Sequence, residues 1–449
     1  MPVVYGNRYP VAKRMISNMD TLVVKPVKTL KGNITVPGDK SISHRAAILS
    51  SLARGTTRVH NFLTAADCLS TVQCLRKLGV DIEGPENNTL IIKGKGFDGL
   101  KEPEDVIDAG NSGTTMRLMT GVLASLTFFS VITGDDSLRR RPMDRVINPL
   151  SRMGAIIAGR SGNSKAPLAI TGQKLRGIKY NSPVASAQVK SAILLAALRA
   201  EGETTVIEPA LSRDHSERML QHFGVRINKK GPAVSVTGPC TLETGGDFTV
   251  PGDISSAAFF IVAASLVPGS EITVTGVGIN PTRTGIIDVL REMGANIIFE
   301  NERAECGEPV ADIRILHAPL RGTHVGGDII PRLIDEIPVL AVAAAVARGE
   351  TRITGAEELK YKETDRIKAV AEELQKLGAR VEELPDGLAI TGVSELKGAH
   401  CHSRGDHRMA MALAVAALLA TGETVIEQAS SITVSFPEFF NVLNSLTVE

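Results

Sequence analysis

The chain has no tryptophan, and aromatic residues make up only 4% of its 449 positions. It therefore lacks the aromatic surfaces on which single-stranded nucleic acids stack. It also lacks an excess of charge of either sign, because 50 Lys and Arg are balanced by 49 Asp and Glu, for a net charge of +1. No global field then draws the protein to nucleic acid or to an acidic membrane surface. Both shortages favour small molecules as its partners.

Cysteine is scarce as well, and its spacing argues against two common uses. The five cysteines are odd in number and contain no CxxC pair, which fits neither a disulfide framework nor a zinc ribbon. His400 and His402 form an HxH that we interpret as a solvated loop, because no further ligand cluster is near in sequence. No GxxxxGK[ST] motif for nucleotide phosphates occurs. We expect a reducing compartment, no metal and no cofactor.

Long apolar runs are missing too. None reaches the roughly 18 residues of a membrane span, since glycine or a charge interrupts each one. We therefore expect a soluble, cytoplasmic protein. The first nineteen residues contain Arg8, Lys13 and Arg14 and no acid, which gives them a faint likeness to a transit peptide. Because they are short and poor in serine, a disordered extension is the favoured interpretation.

What the sequence does contain is an internal repeat. A short phrase such as "LGVDI" or "MGANI" recurs, and its glycines are Gly79, Gly154, Gly224, Gly294 and Gly378. Ala/Leu-rich stretches such as "VKSAILLAALRAEG" predict buried helices, and the alternating phrases that follow, such as "GETTVIEP", predict half-buried strands. An amphipathic helix such as "NPTRTGIIDVLREMG" completes the repeat. Each unit is predicted to contain, in order, a strand, a buried helix, a strand, an amphipathic helix and a strand. Six copies fill the chain.

A unit of this size can pack with two others around shared buried helices, so six copies predict two domains in an α/β (α+β) protein. Copy four begins at "GDFTVPGDISSAAFF" and resembles copy one at "GNITVPGDKSISHRA"; the VPGD turn in both can serve as a hinge. The predicted domains are residues 39–246, with copies one to three, and residues 1–38 plus 247–449, with copies four to six. We expect the active site in the cleft between them.

The predicted buried helices begin with polar side chains, several of which are cations. Capping explains the serines and aspartates. It does not explain Lys40, Arg45 or Arg408, because a cation near a helix N-terminus opposes the helix dipole. The free backbone N–H groups and the dipole at such a terminus favour an anion instead. The pattern therefore predicts sites for several anions.

Two acids and further cations complete this prediction. Arg141 precedes the proline of "RRRPMD", a fixed position at a helix start, and Arg366 lies in "YKETDR". Asp335 and Glu363 are the carboxylates available among these cations. Neighbouring positive charge lowers the pKa of a carboxyl and favours the ionised form that a general base requires. The sequence therefore predicts a cationic cleft that contains two functional acids.

Eight motifs resemble those of the 5-enolpyruvylshikimate-3-phosphate (EPSP) synthase family, whose members are also called 3-phosphoshikimate 1-carboxyvinyltransferases. In chain order they are "GDKSISHR", "GNSGTTMR", "RRPMDR", "SAQVKS", "RDHSERM", "LIDEIP", "YKETDR" and "DHRMAM". The resemblance spans about residues 30–440, and "GNSGTT" and "SAQVKS" are similar to the class II bacterial forms. It implies a two-domain inside-out α/β barrel with three βαβαββ units in each domain.

The resemblance also implies a reaction. Shikimate 3-phosphate reacts with phosphoenolpyruvate through a tetrahedral intermediate and releases phosphate, a step of aromatic amino acid biosynthesis. By motif, the shikimate 3-phosphate residues are Lys40, Ser41, Arg45, Ser186, Ala187, Gln188, Arg213, Asp335 and Lys362. The phosphoenolpyruvate residues are Lys40, Gly113, Thr114, Arg141, Gln188, Arg366 and Arg408. Asp335 is implied as the base at the 5-hydroxyl and Glu363 as the proton donor to the methylene carbon, and Lys40 is counted with them as catalytic.

The sequence departs from the family's pattern at three places. "SSITVSFPE" lacks a lysine that many relatives carry shortly before the FPE-like stretch, which puts one phosphoenolpyruvate contact in doubt. Glu358 stands where some members have asparagine, and Ala187 stands where others have a second serine. Gly113 is retained, and a side chain there would crowd the pocket in which glyphosate competes in this family. We therefore expect a glyphosate-sensitive enzyme, which we also expect to be monomeric.

Two alternatives remain open at this point. The related enzyme that uses UDP-N-acetylglucosamine as acceptor typically has "KNA" in place of "KSISHR" and a reactive cysteine in copy two. Here no cysteine lies between Cys74 and Cys240. A non-catalytic anion sensor on the same scaffold is compatible with the cations, but it has no use for both Asp335 and Glu363.

Overall fold

The computed structural model describes residues 20–448, which form two lobes with separate hydrophobic cores. Buried residues between Ile42 and Val250 make the first core. The second core combines Val24–Val36 with residues 254–446. The arm predicted for residues 1–19 lies outside the described residues.

The helices are distributed over both lobes. Those of the first lobe are α1 (Lys40–Leu52), α2 (Ala66–Lys77), α3 (Gly113–Ala124), α4 (Asp144–Arg152), α5 (Arg160–Asn163), α6 (Ala187–Ala197) and α7 (His215–His222). Those of the second lobe are α8 (Ile254–Leu266), α9 (Gly285–Glu292), α10 (Ile330–Leu333), α11 (Ile337–Val346), α12 (Arg366–Lys376), α13 (His407–Ala417) and α14 (Phe439–Leu446). Short 3-10 turns lie between several of them.

The Ala/Leu-rich stretches form the buried helices, as predicted. In the first lobe these are α1, α3 and α6, and in the second lobe α8, α11 and α13. Every residue of α8 is buried, and α11 packs against both α8 and α13. Helices that are apolar on all sides are stable only when other elements surround them, so the sheets lie outside them.

The strands form sheets around these helices. In chain order they are β1 (Thr21–Val24), β2 (Thr29–Thr35), β3 (Ala53–His60), β4 (Asp81–Glu86), β5 (Thr89–Lys95), β6 (Ile107–Asp108), β7 (Phe129–Thr133), β8 (Ile156–Gly159), β9 (Lys165–Thr171), β10 (Lys179–Asn181), β11 (Gly202–Ile207), β12 (Asn228–Lys230), β13 (Ala233–Gly238), β14 (Leu242–Glu243), β15 (Asp247–Thr249), β16 (Glu271–Gly278), β17 (Asn296–Glu305), β18 (Glu308–Leu316), β19 (His324–Val325), β20 (Glu350–Ile353), β21 (Arg380–Leu384), β22 (Gly387–Thr391), β23 (Leu396–Lys397), β24 (His400–His402), β25 (Ala420–Thr421), β26 (Thr424–Glu427) and β27 (Thr447–Val448). The first lobe has sheets ordered β14-β3-β5-β4, β6-β7-β9-β8 and β10-β11-β13-β12. The second lobe has β17-β18-β16-β2-β27, β19-β20-β22-β21, β1-β26-β24 and the pair β23-β25. This arrangement confirms the predicted α/β fold.

The recurring glycines end the amphipathic helices. Each follows the last turn of α2, α4, α7, α9 or α12, and each has a positive φ, between 83° and 109°. This left-handed conformation terminates a helix and strains any residue with a Cβ atom. The glycine spacing therefore reports the spacing of helix ends.

The two lobes exchange their first strands. The strand that follows each buried helix pairs in parallel with a strand that precedes a buried helix. For example, β11 follows α6 and pairs with β10, which precedes the same helix. In copies one and four the partners are crossed: β2 pairs with β16 of the second lobe, and β15 pairs with β3 of the first lobe. The boundary at 246/247 stays a prediction, but Phe248 and Val250 pack in the first core, so the chain leaves that lobe after Val250.

A membrane-spanning helix is not among the elements of residues 20–448, since none is both long enough and apolar enough.

Candidate active site

A cavity of about 440 Å³ lies between the lobes. The first lobe contributes the starts of α3 and α6 and the loop at 212–213, and the second contributes the segments 327–335 and 355–363. Ten residues predicted for the site line it: Gly113, Thr114, Arg141, Ser186, Ala187, Gln188, Arg213, Asp335, Lys362 and Glu363. The fold therefore brings together residues that are up to 250 positions apart.

One wall of the cavity is cationic, and two of its guanidinium groups have neutral hydrogen-bond partners. The guanidinium of Arg117 donates to the Gln188 side-chain oxygen and, at 3.3 Å, to the Pro142 carbonyl. Arg141 donates to the Asn111 side chain at 2.9 Å. In this part of the described chain, the ion pairs within 4.0 Å join Arg139 to Asp136 and Arg145 to Glu358, and neither pair involves Arg117 or Arg141. Loss of solvent, with repulsion from Arg141, lowers the pKa of Arg117 to about 10. An anion is the natural partner for this pair.

The start of α6 presents hydroxyl and amide groups beside this wall. Ser186 caps the helix, and the Gln188 amide donates to the Thr114 hydroxyl at 2.9 Å. Behind them the buried Glu208 carboxylate accepts from the Ser186 backbone N–H at 3.0 Å. Lys190 lies 2.8 Å from this carboxylate and also 2.8 Å from the carboxylate of the buried Glu217. One lysine thus bridges two acids below the surface, and the start of α6 faces the cavity as a candidate anion site.

The opposite wall contains Asp335 among four cations. Arg213 of the first lobe donates directly to its carboxylate, and the Lys362 ammonium lies 3.2 Å away. Arg366 and Arg408 lie at 3.4 and 3.9 Å. Burial alone would raise the pKa of Asp335, but Lys362, Arg408, Arg213 and Arg366 hold it well below its ordinary value. Asp335 is therefore ionised and can accept a proton.

Glu363 is the second acid of the cavity. Its carboxylate lies 2.7 Å from the Arg366 guanidinium, and Arg366 also pairs with Asp406 at 2.8 Å. Removal from solvent would raise the pKa of Glu363, but Arg366 and His407 lower it below the ordinary value. Burial, in turn, lowers the pKa of His407 to about 4.

Five predicted residues are not among those that line the cavity: Lys40, Ser41, Arg45, Arg366 and Arg408. Lys40 pairs with Asp67 of α2; burial opposes its charge, but Asp67 raises the pKa of Lys40 above its ordinary value. Arg45 is buried and donates to Ser216 and Ser191, both at 2.7 Å. The structure thus places Arg45 behind the start of α1, with neutral hydroxyl partners.

Sequence reasoning missed several contributors. Asp67 and Glu208 pair with predicted residues from elsewhere in the chain, and no local pattern reveals such partners. Arg145 lies inside the motif "RRPMDR" and forms a two-point ion pair with Glu358, at 3.0 and 3.1 Å across the cleft. The motif was a signal for Arg145, whereas its partner could be found only in three dimensions.

Residues 20–448 contain no group of three or more His, Cys, Asp or Glu side chains arranged to hold a metal ion. His402 accepts a hydrogen bond from the Arg404 backbone at 2.8 Å, and His400 is exposed beside Glu427.

Comparison with known proteins gives a consistent result. Residues 24–443 match the family described as EPSP synthase (3-phosphoshikimate 1-carboxyvinyltransferase). A protein of that name from Desulforamulus reducens is 59% identical over 95% of this chain and 100% of its own length. One from Pelotomaculum thermopropionicum is 60% identical over 94% of this chain and 97% of its own.

Solved structures agree. The protein in the 2.37 Å structure of EPSP synthase from Acinetobacter baumannii shares 45% sequence identity with this chain. The alignment covers 95% of this chain and 98% of that chain, and the two structures superpose with a TM-score of 0.87. The enolpyruvyl transferase NikO from Streptomyces tendae has a TM-score of 0.77 at 18% identity, with coverage of 95% and 97%, and so shares the fold. The chain belongs to the EPSP synthase (3-phosphoshikimate 1-carboxyvinyltransferase) family.

Proposed function

We propose that the cavity between the lobes transfers the enolpyruvyl group of phosphoenolpyruvate to the 5-hydroxyl of shikimate 3-phosphate and releases phosphate. The observation that carries this proposal is the pairing of two walls. Arg117 and Arg141 present positive charge with neutral partners on one side, and Asp335 and Glu363 lie on the other. Two polyanionic substrates supply the missing negative charge, and the two acids supply proton transfer.

The predicted binding residues divide between the substrates. Phosphoenolpyruvate is assigned to Gly113, Thr114, Arg141, Arg366 and Arg408, with Lys40 and Gln188 between the two substrates. Shikimate 3-phosphate is assigned to Ser41, Arg45, Ser186, Ala187, Arg213 and Lys362. The Arg213 contact with Asp335 supports this division, because a bound phosphate competes for that guanidinium. Such competition turns Arg213 away from the acid and leaves Asp335 free to face the hydroxyl.

Asp335 is assigned as the base and Glu363 as the acid. The 5-hydroxyl oxygen attacks C2 of phosphoenolpyruvate as Asp335 accepts its proton, and Glu363 protonates the methylene carbon. This addition gives a tetrahedral intermediate. Phosphate then leaves C2 with the proton held by Asp335, and the new methyl group returns a proton to the Glu363 carboxylate, which restores the enol ether and both acids. The cations stabilise the carboxylate and the departing phosphate throughout.

The acid role of Glu363 requires that substrates change its charge environment. In the unliganded cavity the Arg366 and His407 side chains hold its pKa low, so its carboxylate is ionised. Two bound polyanions place negative charge beside the Arg366 guanidinium and shift the pKa of Glu363 upward. The proposal therefore includes proton uptake when the substrates bind.

Further assignments are proposed on narrower support. Glyphosate is expected to compete with phosphoenolpyruvate at Gly113. A monomer in the cytoplasm is expected, and one chain supplies every residue of the cavity described above.

The test is phosphate release with shikimate 3-phosphate plus phosphoenolpyruvate. Turnover should fall by about 10²–10⁴-fold in Asp335→Asn and in Glu363→Gln, the usual range for loss of a general acid or base. Glu357→Gln, an exposed carboxylate outside the cavity lining, serves as the matched control and should retain parental activity.

Other outcomes would favour the alternatives. Release of phosphate with UDP-N-acetylglucosamine instead of shikimate 3-phosphate identifies the sister activity. Tight binding of both anions without turnover identifies a sensor.

A further inference from the structure

The two VPGD turns lie side by side where the chain crosses between lobes. The Asp39 N–H donates to the Pro251 carbonyl at 2.7 Å, and the Asp253 N–H donates to the Pro37 carbonyl at 2.9 Å. Each aspartate then caps the first buried helix of its own lobe. Asp39 accepts from the Ile42 N–H, and Asp253 accepts from the backbone at the start of α8. Two helix caps, one from each lobe, therefore meet at the crossing.

The buried side chain of Arg283 joins these two caps. Its guanidinium is only 2% exposed and lies 3.0 Å from Asp39 and 3.3 Å from Asp253. It also donates to the Ser255 hydroxyl at 2.6 Å. Burial opposes its charge, but Asp39 and Asp253 raise the pKa of Arg283 above its ordinary value. Arg283 is therefore a fixed cation at the centre of the crossing.

The same cluster reaches the residues that flank the proposed catalytic groups. Ser255 donates its hydroxyl hydrogen to Glu336, and Glu336 also lies 3.8 Å from the Arg283 guanidinium. Glu336 directly follows Asp335, the proposed base, and Asp39 directly precedes Lys40. One guanidinium thus touches the chain neighbour of a substrate residue in the first lobe and the chain neighbour of the base in the second.

Arg283 does not line the cavity, so its effect on chemistry must be indirect. Separation of a buried ion pair leaves an uncompensated charge away from water, which is strongly destabilising. The pair therefore holds the two segments that carry it in one arrangement. A displacement of about 1 Å at a reacting group can cost on the order of 10²-fold in rate. The cluster is therefore placed to fix the position of Lys40, at the start of α1, relative to the carboxylate of Asp335.

We propose that Arg283 is a positioning residue that couples the first-lobe helix start at Lys40 to the second-lobe acid Asp335 across the strand crossing. This inference rests on the proposed enolpyruvyl transfer at the cavity. It assigns a positioning function to the VPGD turns, which the sequence predicts only as a hinge.

The test is steady-state kinetics on the full chain carrying Arg283→Gln, Asp39→Asn, or both. Asn is a good helix cap, so Asp39→Asn removes the ion pair and keeps the start of α1. Each single variant should lower kcat by about 10–100-fold, with KM for both substrates within about threefold of the parent. Because the two groups act as one unit, the double variant should be no slower than the slower single variant. Arg283→Lys, which keeps the charge, should recover part of the rate.

Arg291→Gln is the matched control. Arg291 lies in the same lobe, donates to the Ile297 carbonyl, and is distant in sequence from both VPGD turns. The Arg291→Gln variant should keep the parental kcat, whether or not its midpoint of thermal unfolding changes. The inference is overturned if a folded Arg283→Gln or Asp39→Asn variant keeps at least half the parental kcat. It is also overturned if the fold-losses in kcat of the two single variants multiply in the double variant. If Arg283→Gln does not fold, Asp39→Asn and Arg283→Lys decide. A parent inactive with both substrates overturns the proposed function itself.

Discussion

Gly113, the first residue of α3, lies beside the guanidinium groups of Arg117 and Arg141. A Cβ atom at this position would lie 3.2 Å from one guanidinium nitrogen and 3.3 Å from the other. Both contacts are tighter than ordinary van der Waals distance, but the atoms met are the far ends of flexible side chains. A methyl group can therefore be accommodated only by moving the cations that are assigned to the anionic substrate.

We predict that Gly113→Ala weakens glyphosate inhibition more than it weakens use of phosphoenolpyruvate. Glyphosate is the longer molecule, and one methyl group in a fitted pocket discriminates by about 10–200-fold. The inhibition constant of glyphosate should therefore rise at least tenfold in the phosphate-release assay. The KM for shikimate 3-phosphate should stay near the parental value and serves as the internal control. A variant inhibited as readily as the parent contradicts the steric argument.

At the scale of single residues, the sequence revealed the cations and hydroxyls but few of their partners. A lysine or arginine at a helix start is unusual in itself, so Lys40 and Arg408 could be identified from local pattern. Asp67, which pairs with Lys40, and Glu208, which supports Ser186, are ordinary acids in their own segments. Their function depends on which elements pack together, and a local pattern carries no such information.

Among the elements, α3 and α6 approach each other closely at Gly121. A Cβ atom there would lie 2.2 Å from the Ala192 carbonyl oxygen and 2.9 Å from its Cα atom. These are backbone atoms of a buried helix, so relief requires a shift of the helix itself. The glycine fixes the spacing of two helices whose starts line the cavity.

We predict that Gly121→Ala destabilises the protein by about 1–3 kcal/mol, the usual cost of overpacking a core. The midpoint of thermal unfolding should fall by several degrees, despite the better helix propensity of alanine. Gly113→Ala is the matched control, because it makes the same change in the same helix against flexible side-chain ends. Equal midpoints for the two variants would show that α3 and α6 can separate at little cost.

At the scale of the whole molecule, an ion pair bridges the lobes at the cleft. Arg145 of α4 and Glu358 of the 3-10 turn Glu357–Tyr361 meet at two points, and their side chains are 31% and 46% exposed. A partly exposed pair of this kind contributes under about 1 kcal/mol and is weakened by salt. It favours the closed arrangement, in which water is excluded from the reaction.

We predict that Glu358→Gln raises KM for both substrates by up to about fivefold, the equivalent of about 1 kcal/mol. The reversed pair, Arg145→Glu with Glu358→Arg, should restore part of the loss, and high salt should reduce the difference from the parent. Asp98→Asn is the control, because it removes an ion pair with Arg199 that lies within one lobe. An equal rise in KM for this control, or no rise for Glu358→Gln, contradicts a bridging function.

The sequence by itself determined the repeat, the element order and the chemistry of the helix starts. Helix-ending glycines such as Gly79 and Gly294 and wholly apolar helices are local consequences of backbone sterics and of the hydrophobic effect, so they can be read from neighbouring residues. The tertiary structure alone decided the pairing of β15 with β3 in the first lobe, the central position of Arg283 and the bridge between Arg145 and Glu358. These depend on contacts between segments distant in sequence, which packing selects and local pattern does not encode.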